Sequence, residues 1–222
     1  MWIKADMHIH STHSDGRASP KDILLYAMYR ELKVISITDH DTFQGSVVAS
    51  RYAREKKELP LVIIGSEVRS ERGDILLYCF EPIDFPRKID QLIDYAHENN
   101  CLVVPAHPFD AFRAGIGEAL YEYSGWDGVE VWNSSSSLGA NKKAIRASRE
   151  LGLPGLANSD AHIPDYIGVA YTLLDVEELS VEAVFKAIKN NRVRPYFGYP
   201  PFKVFLKRIA WSIERLFMKK KP

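Results

Sequence analysis

The chain has 222 residues, 46% hydrophobic and 26% charged, enough for one substantial core, so a single domain is expected. Lysine plus arginine equals aspartate plus glutamate at 29 each, which excludes a whole-molecule charge bias toward nucleic acid or anionic membranes. No run approaches the ~18 apolar residues of a membrane span, and the opening "MWIKADMHIH" lacks the basic start and long apolar stretch of a secretory signal, so a soluble cytoplasmic protein is expected.

In chain order, "WIKADM" is the first strand candidate, and "SPKD" opens the first helix with Ser19 as N-cap, Pro20 at the first position and Asp22 in the first turn. "VISIT", "LVIIGSEV" and "DILLYCF" follow as strands; only "RSERG" separates the last two, which suggests a hairpin-like interruption. Cys79 and Cys101 form no CxxC pair and each adjoins an apolar run, so buried reduced thiols are expected rather than a disulfide. "LVVPAH", "GVEVWN", "GLAN" and "VAYTLL" complete the strands, with helices in most gaps and a further helix from Ser180 in "SVEAVFKAIKNN". This alternation predicts parallel pairing in an irregular (β/α) barrel over residues 1–200.

"GYPPF" at residue 198 marks a break, after which apolar residues at 202, 205, 206, 209, 210, 213, 216 and 217 share one helical face. This amphipathic C-terminal helix, residues 201–222, holds seven basic residues against Glu214 alone, so the tail is +6 and the remainder of the chain −6. Packing on the barrel exterior or self-association is expected of it, with membrane-surface contact as the second reading.

Nearly every strand run is followed at once by a residue able to bind metal: His8 and His10, Asp39 and His40, Glu67, His107, and Asp160 and His162. In a parallel barrel the C-terminal strand ends share one face, so these residues converge. Residues two apart in a strand point to the same side, which lets both imidazoles of "HIH" reach one cation. Imidazole and carboxylate without thiolate suit catalytic zinc, manganese or iron, and so many candidates imply two or three ions, with Glu67 as the bridging carboxylate.

Together "DMHIHSTHSDG", "SITDHDT", "GSEV", "PAHPF" and "ANSDAH" resemble, in order and spacing, the motifs of the PHP (polymerase and histidinol phosphatase) family, over about residues 3 to 174. The likeness is closest to the small stand-alone metal-dependent phosphoesterases of that family, whose first motif ends in "SDG". The resemblance implies a distorted (β/α)7 barrel with a trinuclear site of Mn, Zn or Fe. It implies one metal on His8, His10, Glu67 and Asp160, a second on Asp15, His40 and His162, and a third sharing Glu67 with His107. Where the family usually has "GH" this chain has "GD", so Asp74 is the implied last ligand of the third site.

Such a cluster is expected to lower the pKa of a bound water and supply hydroxide as nucleophile. His40, Asp39 and Arg113 are the candidate catalytic residues: His40 on a metal, Asp39 orienting an imidazole, and Arg113 in "HPFDAFRAG" gripping phosphate. Asp6 matches Asp39 in role, and for both the alternative is a strand-end hydrogen bond. Glu130 and Asn133 border the pocket or serve structure. His97 is read as a helix-end residue, "SSSS" at 134–137 as a flexible loop, and His13 as a loop residue near the site that holds no metal.

The expected activity is hydrolysis of a phosphate ester of a small metabolite or nucleotide, with no stable nucleic-acid complex. Histidinol-phosphate phosphatase, a barrel amidohydrolase and a non-catalytic PHP module supporting a polymerase-like partner are the alternatives.

Overall fold

The computed structural model describes residues 1–54 and 56–218, Met218 by its backbone alone. Among the described residues, eight of nine strands fall on the sequence candidates: β1 (Trp2–Ile9), β2 (Val34–Ile37), β3 (Leu61–Arg69), β4 (Asp74–Cys79), β5 (Leu102–Pro105), β6 (Val129–Asn133), β7 (Gly155–Asn158) and β8 (Tyr171–Asp175). The ninth, β9 (Val193–Tyr196), pairs antiparallel with β8. It carries Arg194 and Pro195 and alternates between half-buried and exposed positions, a pattern that fits an edge strand and gives no apolar run to read.

One sheet runs in the order β5-β4-β3-β2-β1-β8-β9, and β6 and β7 form a parallel pair of their own. A bridge between Ile9 and Ala161 lays the chain after β7 alongside β1. Asp127 joins the start of β6 to β5, its backbone N–H donating to the Val103 carbonyl at 3.0 Å and its carboxylate accepting from Val103 N at 2.9 Å. Six buried apolar residues from six strands, Met7, Val34, Ile63, Leu76, Leu102 and Leu156, meet in one cluster, as the concave side of a curled sheet requires. The helix α5 (Val181–Lys189) adds Val184, Phe185 and Ile188 to that cluster.

The pairing is mixed rather than uniformly parallel. β4 runs antiparallel to both β3 and β5, and β8 is antiparallel to β1. The reversal of β4 is the hairpin suggested by "RSERG"; Ser70 closes it with its hydroxyl donating to the Gly73 carbonyl at 2.6 Å. Six strands, β1, β2, β3, β5, β6 and β7, nevertheless keep one direction, so their C-terminal ends share a face.

The cysteine expectation is overturned: Cys79 and Cys101 are disulfide-bonded. The register explains it. Tyr78 of β4 faces Leu102 of β5, so Cys79 and Cys101 are the next antiparallel pair, with Cα atoms 4.3 Å apart. That is the close approach of a non-hydrogen-bonded antiparallel pair. A 22-residue separation conceals a proximity created by a reversed strand.

Local sequence sets the helix starts. Ser19 caps α1 (Pro20–Tyr29), Ser137 caps α4 (Leu138–Leu151) and Ser180 caps α5, each side chain accepting a backbone N–H in the first turn. α2 (Gln44–Ala53) and α3 (Ile89–Glu98) pack beside the sheet without a side-chain cap. The last helix, α6 (Phe202–Met218), packs as expected of it but through an unexpected face. Val204 and Trp211 join the core beside α1 and α2, while the apolar stripe read from the sequence faces outward.

Candidate metal centre

All nine candidate ligands converge at the C-terminal strand ends, where His/Asp/Glu donor atoms gather into interlocking groups. His8 lies in β1, where the register against β2 shifts between Asp6 and Ile9, an irregularity of the kind that re-aims a side chain. His10 follows directly, its N–H donating to the Ala161 carbonyl at 2.8 Å. His107 and Asp160 both have positive φ, 32° and 50°, an uncommon conformation for residues with a Cβ that turns each side chain inward as its strand ends.

In the first group, His8 Nε2 lies 3.2 Å from His10 Nε2, 3.4 Å from Glu67 Oε2 and 3.6 Å from Asp160 Oδ1. His10 Nε2 is 3.2 Å from Glu67 Oε2 and 3.3 Å from Asp160 Oδ1. Donors held ~2.0–2.2 Å from one ion in adjacent coordination positions are roughly 3.0–3.6 Å from each other. A second group surrounds Asp15: its Oδ1 is 3.2 Å from His162 Nε2 and 3.5 Å from His10 Nδ1, and its Oδ2 is 3.8 Å from His40 Nε2. Glu67 turns its other oxygen, Oε1, to His107 Nε2 at 2.9 Å. Asp74 groups with His40 and Glu67 rather than with His107.

The buried atoms without hydrogen-bond partners test the fit to metal. Asp15 Oδ1, His40 Nδ1, Glu67 Oε2, Asp74 Oδ1 and His107 Nδ1 are all orphaned. Buried polar atoms ordinarily find partners, so five orphans on five candidate ligands fit a cation that uses lone pairs. The donor set, five imidazoles and four carboxylates, fits two or three divalent ions.

Electrostatics divide the donors, the carboxylates of Glu67, Asp160 and Glu130 holding His8, His10 and His107 above the usual imidazole range against their burial. Burial would raise the Glu67 carboxyl, but the imidazoles of His8, His10 and His107 outweigh it and hold the group well below the ordinary carboxylate range. Asp160 is likewise held far down, burial being overcome by Arg113, His8 and His162. Burial lowers His40 to about 4 and drives His162 well below the usual imidazole range, keeping both rings neutral and able to coordinate. Asp74 is pushed up to about 7 by burial and the neighbouring Glu67 charge.

Other residues fix the donors in place. Glu130 Oε1 accepts from His8 Nδ1 at 2.9 Å, which leaves His8 Nε2 bare toward the centre. Asp39 touches no imidazole, contrary to the role expected of it. Its carboxylate accepts from Ser11 N at 2.7 Å, Ser11 Oγ at 2.6 Å and Ser14 Oγ at 2.5 Å, pinning the loop that delivers Asp15. Asp6 makes the strand-end hydrogen bonds instead, accepting from Ser159 N and Gly168 N, and burial lifts it to about 6. His13 is exposed, and His97 pairs with Asp127 at the end of α3. Ser134 and Ser136 are buried and Ser137 caps α4, so the serine run is anchored rather than free.

Above the cluster opens a cavity of about 890 Å³, lined by Asp15, His40, Glu67, Asp74, His107, Asp160 and His162 together with Arg113, Arg208 and Arg215. Arg113 donates to Asp160 Oδ2 at 2.7 Å and to the Ser135 carbonyl at 3.2 Å. Arg208 and Arg215 come from α6, which the sequence reading did not place near the site. Arg215 pairs with Asp15 Oδ2, and Trp211 Nε1 donates to the Asp15 carbonyl at 3.0 Å. Their signal was the spacing 204, 208, 211, 215, a second helical face half a turn from the apolar one.

A mixed α/β sheet with imidazoles and carboxylates clustered on its strand ends defines a metal-binding α/β protein of barrel-like type. The PHP domain matches residues 6–124 and the PHP-associated C-terminal family residues 139–193, and the chain belongs to the PHP domain family. An uncharacterized protein of Methanocaldococcus jannaschii is 31% identical over 144 residues, 60% of this chain and 82% of that protein. A two-domain protein from Bacteroides vulgatus ATCC 8482 containing a predicted PHP-like metal-dependent phosphoesterase superposes with a TM-score of 0.75 at 22% identity, over 89% of this chain. This chain spans 65% of that protein. A lesion-specific endonuclease of Pyrococcus furiosus gives a TM-score of 0.60 at 20% identity, covering 86% of this chain and 56% of the endonuclease. These two likenesses are of fold.

Proposed function

We propose that this chain is a metal-dependent phosphoesterase that hydrolyses a phosphate ester of a small metabolite or nucleotide. The observation that carries this reading is the nine-donor cluster with orphaned donor atoms, facing a cavity that three arginines also line. His8, His10, Glu67 and Asp160 would hold one ion, Asp15, His40 and His162 a second, and Glu67 and His107 a third, with Asp74 offered from the His40 side of Glu67. The ions, when bound, supply a water-derived nucleophile at neutral pH and offset charge on the phosphoryl oxygens. Glu130 fixes the His8 tautomer, and Asp39 holds the Ser11–Ser14 loop.

Arg113 and Arg208 bind and orient the phosphate from the rim, since guanidinium forks match phosphoryl oxygens. The cavity volume is in the range that encloses a small ligand. Metal analysis of protein purified without chelator, followed by a panel of phosphorylated metabolites, histidinol phosphate, nucleotides and diesters with Mn or Zn, tests the reading. The expected result is at least two ions per chain and ester hydrolysis that His10→Ala abolishes. Fewer than two ions together with no hydrolysis overturns it, and turnover of amides alone moves the chain to an amidohydrolase.

A further inference from the structure

We propose that α6 docks the protein on an anionic membrane surface through its outward apolar stripe. Phe202, Leu206, Ile209, Ile213, Leu216 and Phe217 recur at helical spacing along one side of α6 and are each between 40% and 72% exposed. Half a turn away, Val204, Arg208, Trp211 and Arg215 make the contacts with the body of the protein. The helix is therefore fixed by its polar and aromatic side and presents its apolar side to solvent, the reverse of a helix packed on a core. A contiguous stripe of this kind marks a surface that is covered in use.

Charge selects what covers it. Lys203 and Lys207 flank the stripe, Lys207 also pairing with Asp165 at 2.7 Å, and the sequence continues with Lys219, Lys220 and Lys221, whereas Arg208 and Arg215 of the +6 on residues 202–222 face the body of the protein. Two copies meeting stripe to stripe would bring two such tails together, whereas anionic headgroups would neutralise each one. Phenylalanine and leucine on one side with lysine beside them is also the composition of a helix lying in the interfacial plane. The cavity lies against the opposite side of α6, about one helix diameter, ~10–12 Å, from the lipid.

The test is flotation of the full-length, metal-loaded protein with vesicles of phosphatidylcholine alone and of phosphatidylcholine mixed with phosphatidylglycerol. Leu206→Glu/Ile213→Glu is the variant, and its metal content and turnover of a soluble substrate should match the parent, which separates this inference from the proposed function. The expected result is binding to the anionic vesicles only, weakened by salt, with a partition coefficient at least about tenfold lower for the variant. A Phe217→Trp reporter should shift its emission to the blue on the same vesicles. Absence of binding, or equal binding of parent and variant, overturns the proposal. So does a concentration-dependent dimer that the double variant dissolves without any vesicle binding, which would assign the stripe to a second copy.

Discussion

Glu130 accepts four hydrogen bonds while fully buried: from His8 Nδ1 at 2.9 Å, His107 N at 2.8 Å, Asn133 Nδ2 at 3.0 Å and Asn158 Nδ2 at 2.9 Å. Burial would raise its carboxyl, but His8 above all holds it below the ordinary range, so it stays an acceptor. Every lone-pair site has a donor, and an amide in its place would turn N–H groups against one of them. Glu130→Gln should keep the fold and lower affinity for the metal shared by His8 by about 10–100-fold, read by chelator competition. An unchanged affinity would mean that His8 needs no orienting partner. Gly16 shows the same dependence through the backbone. A Cβ there would sit 2.0 Å from the His10 carbonyl oxygen, so Gly16→Ala must displace the loop carrying Asp15. We expect a stability loss of about 1–3 kcal/mol by denaturant unfolding, with loss of one bound ion. His13→Ala, at an exposed position on the same loop, should retain every ion.

At the scale of elements, β1 to β8 were legible because each is a short apolar run bounded by polar residues, and the caps at Ser19 and Ser180 were legible from local chemistry. Strand direction was not, since β4 reverses through a connection whose sequence signals only a tight turn, and that reversal is what brings Cys79 to Cys101. The clustering of the candidate donors could be read because strand-end position and spacing constrain them. Their partners could not: Asp39 adjoins His40 in sequence while Glu130 is remote from every candidate ligand, and which carboxylate meets an imidazole depends on strands brought together only by the fold. α6 inverted its expected orientation for a similar reason. Apolar periodicity identifies a helix, but Trp211 and Arg215 find specific partners at the site that outweigh the stripe. Trp211 is 9% exposed and donates to the Asp15 carbonyl, so Trp211→Ala should release α6 selectively. Hydrogen exchange should then rise across residues 202–218 with β1 to β3 still protected; uniform loss of protection would show that the helix and the sheet unfold together. Arg208→Ala leaves that anchor in place and should raise KM for a phosphate ester by roughly tenfold or more with metal content unchanged, through loss of a charge-assisted contact.

For the whole molecule, the site gathers Asp15, Glu67, Asp74, Glu130 and Asp160 at one end of the barrel-like sheet, with Asp160 and Glu67 held ionised and largely out of water. Imidazoles and Arg113 offset part of that charge, yet Glu67 Oε2 and Asp15 Oδ1 remain without hydrogen bonds, so folding brings unrelieved carboxylate oxygens together. A divalent cation that binds only this assembled set must stabilise the fold, because the unfolded chain scatters ligands from His8 to His162. At a free ion concentration about a hundredfold above Kd, one site adds about 2.7 kcal/mol. For a chain of this length that corresponds to a rise of roughly 5–10 °C in Tm. The increase should appear with Mn or Zn, reverse with chelator, and grow as further sites fill. His10→Ala is the informative control, since His10 offers Nε2 to the group with Glu67 and Asp160 and Nδ1 to the group with Asp15. The variant should lose most of the increase while Arg208→Ala keeps it. A parent Tm that does not move with any divalent ion would show that the cluster is satisfied without metal, and the phosphoesterase reading would fall with it.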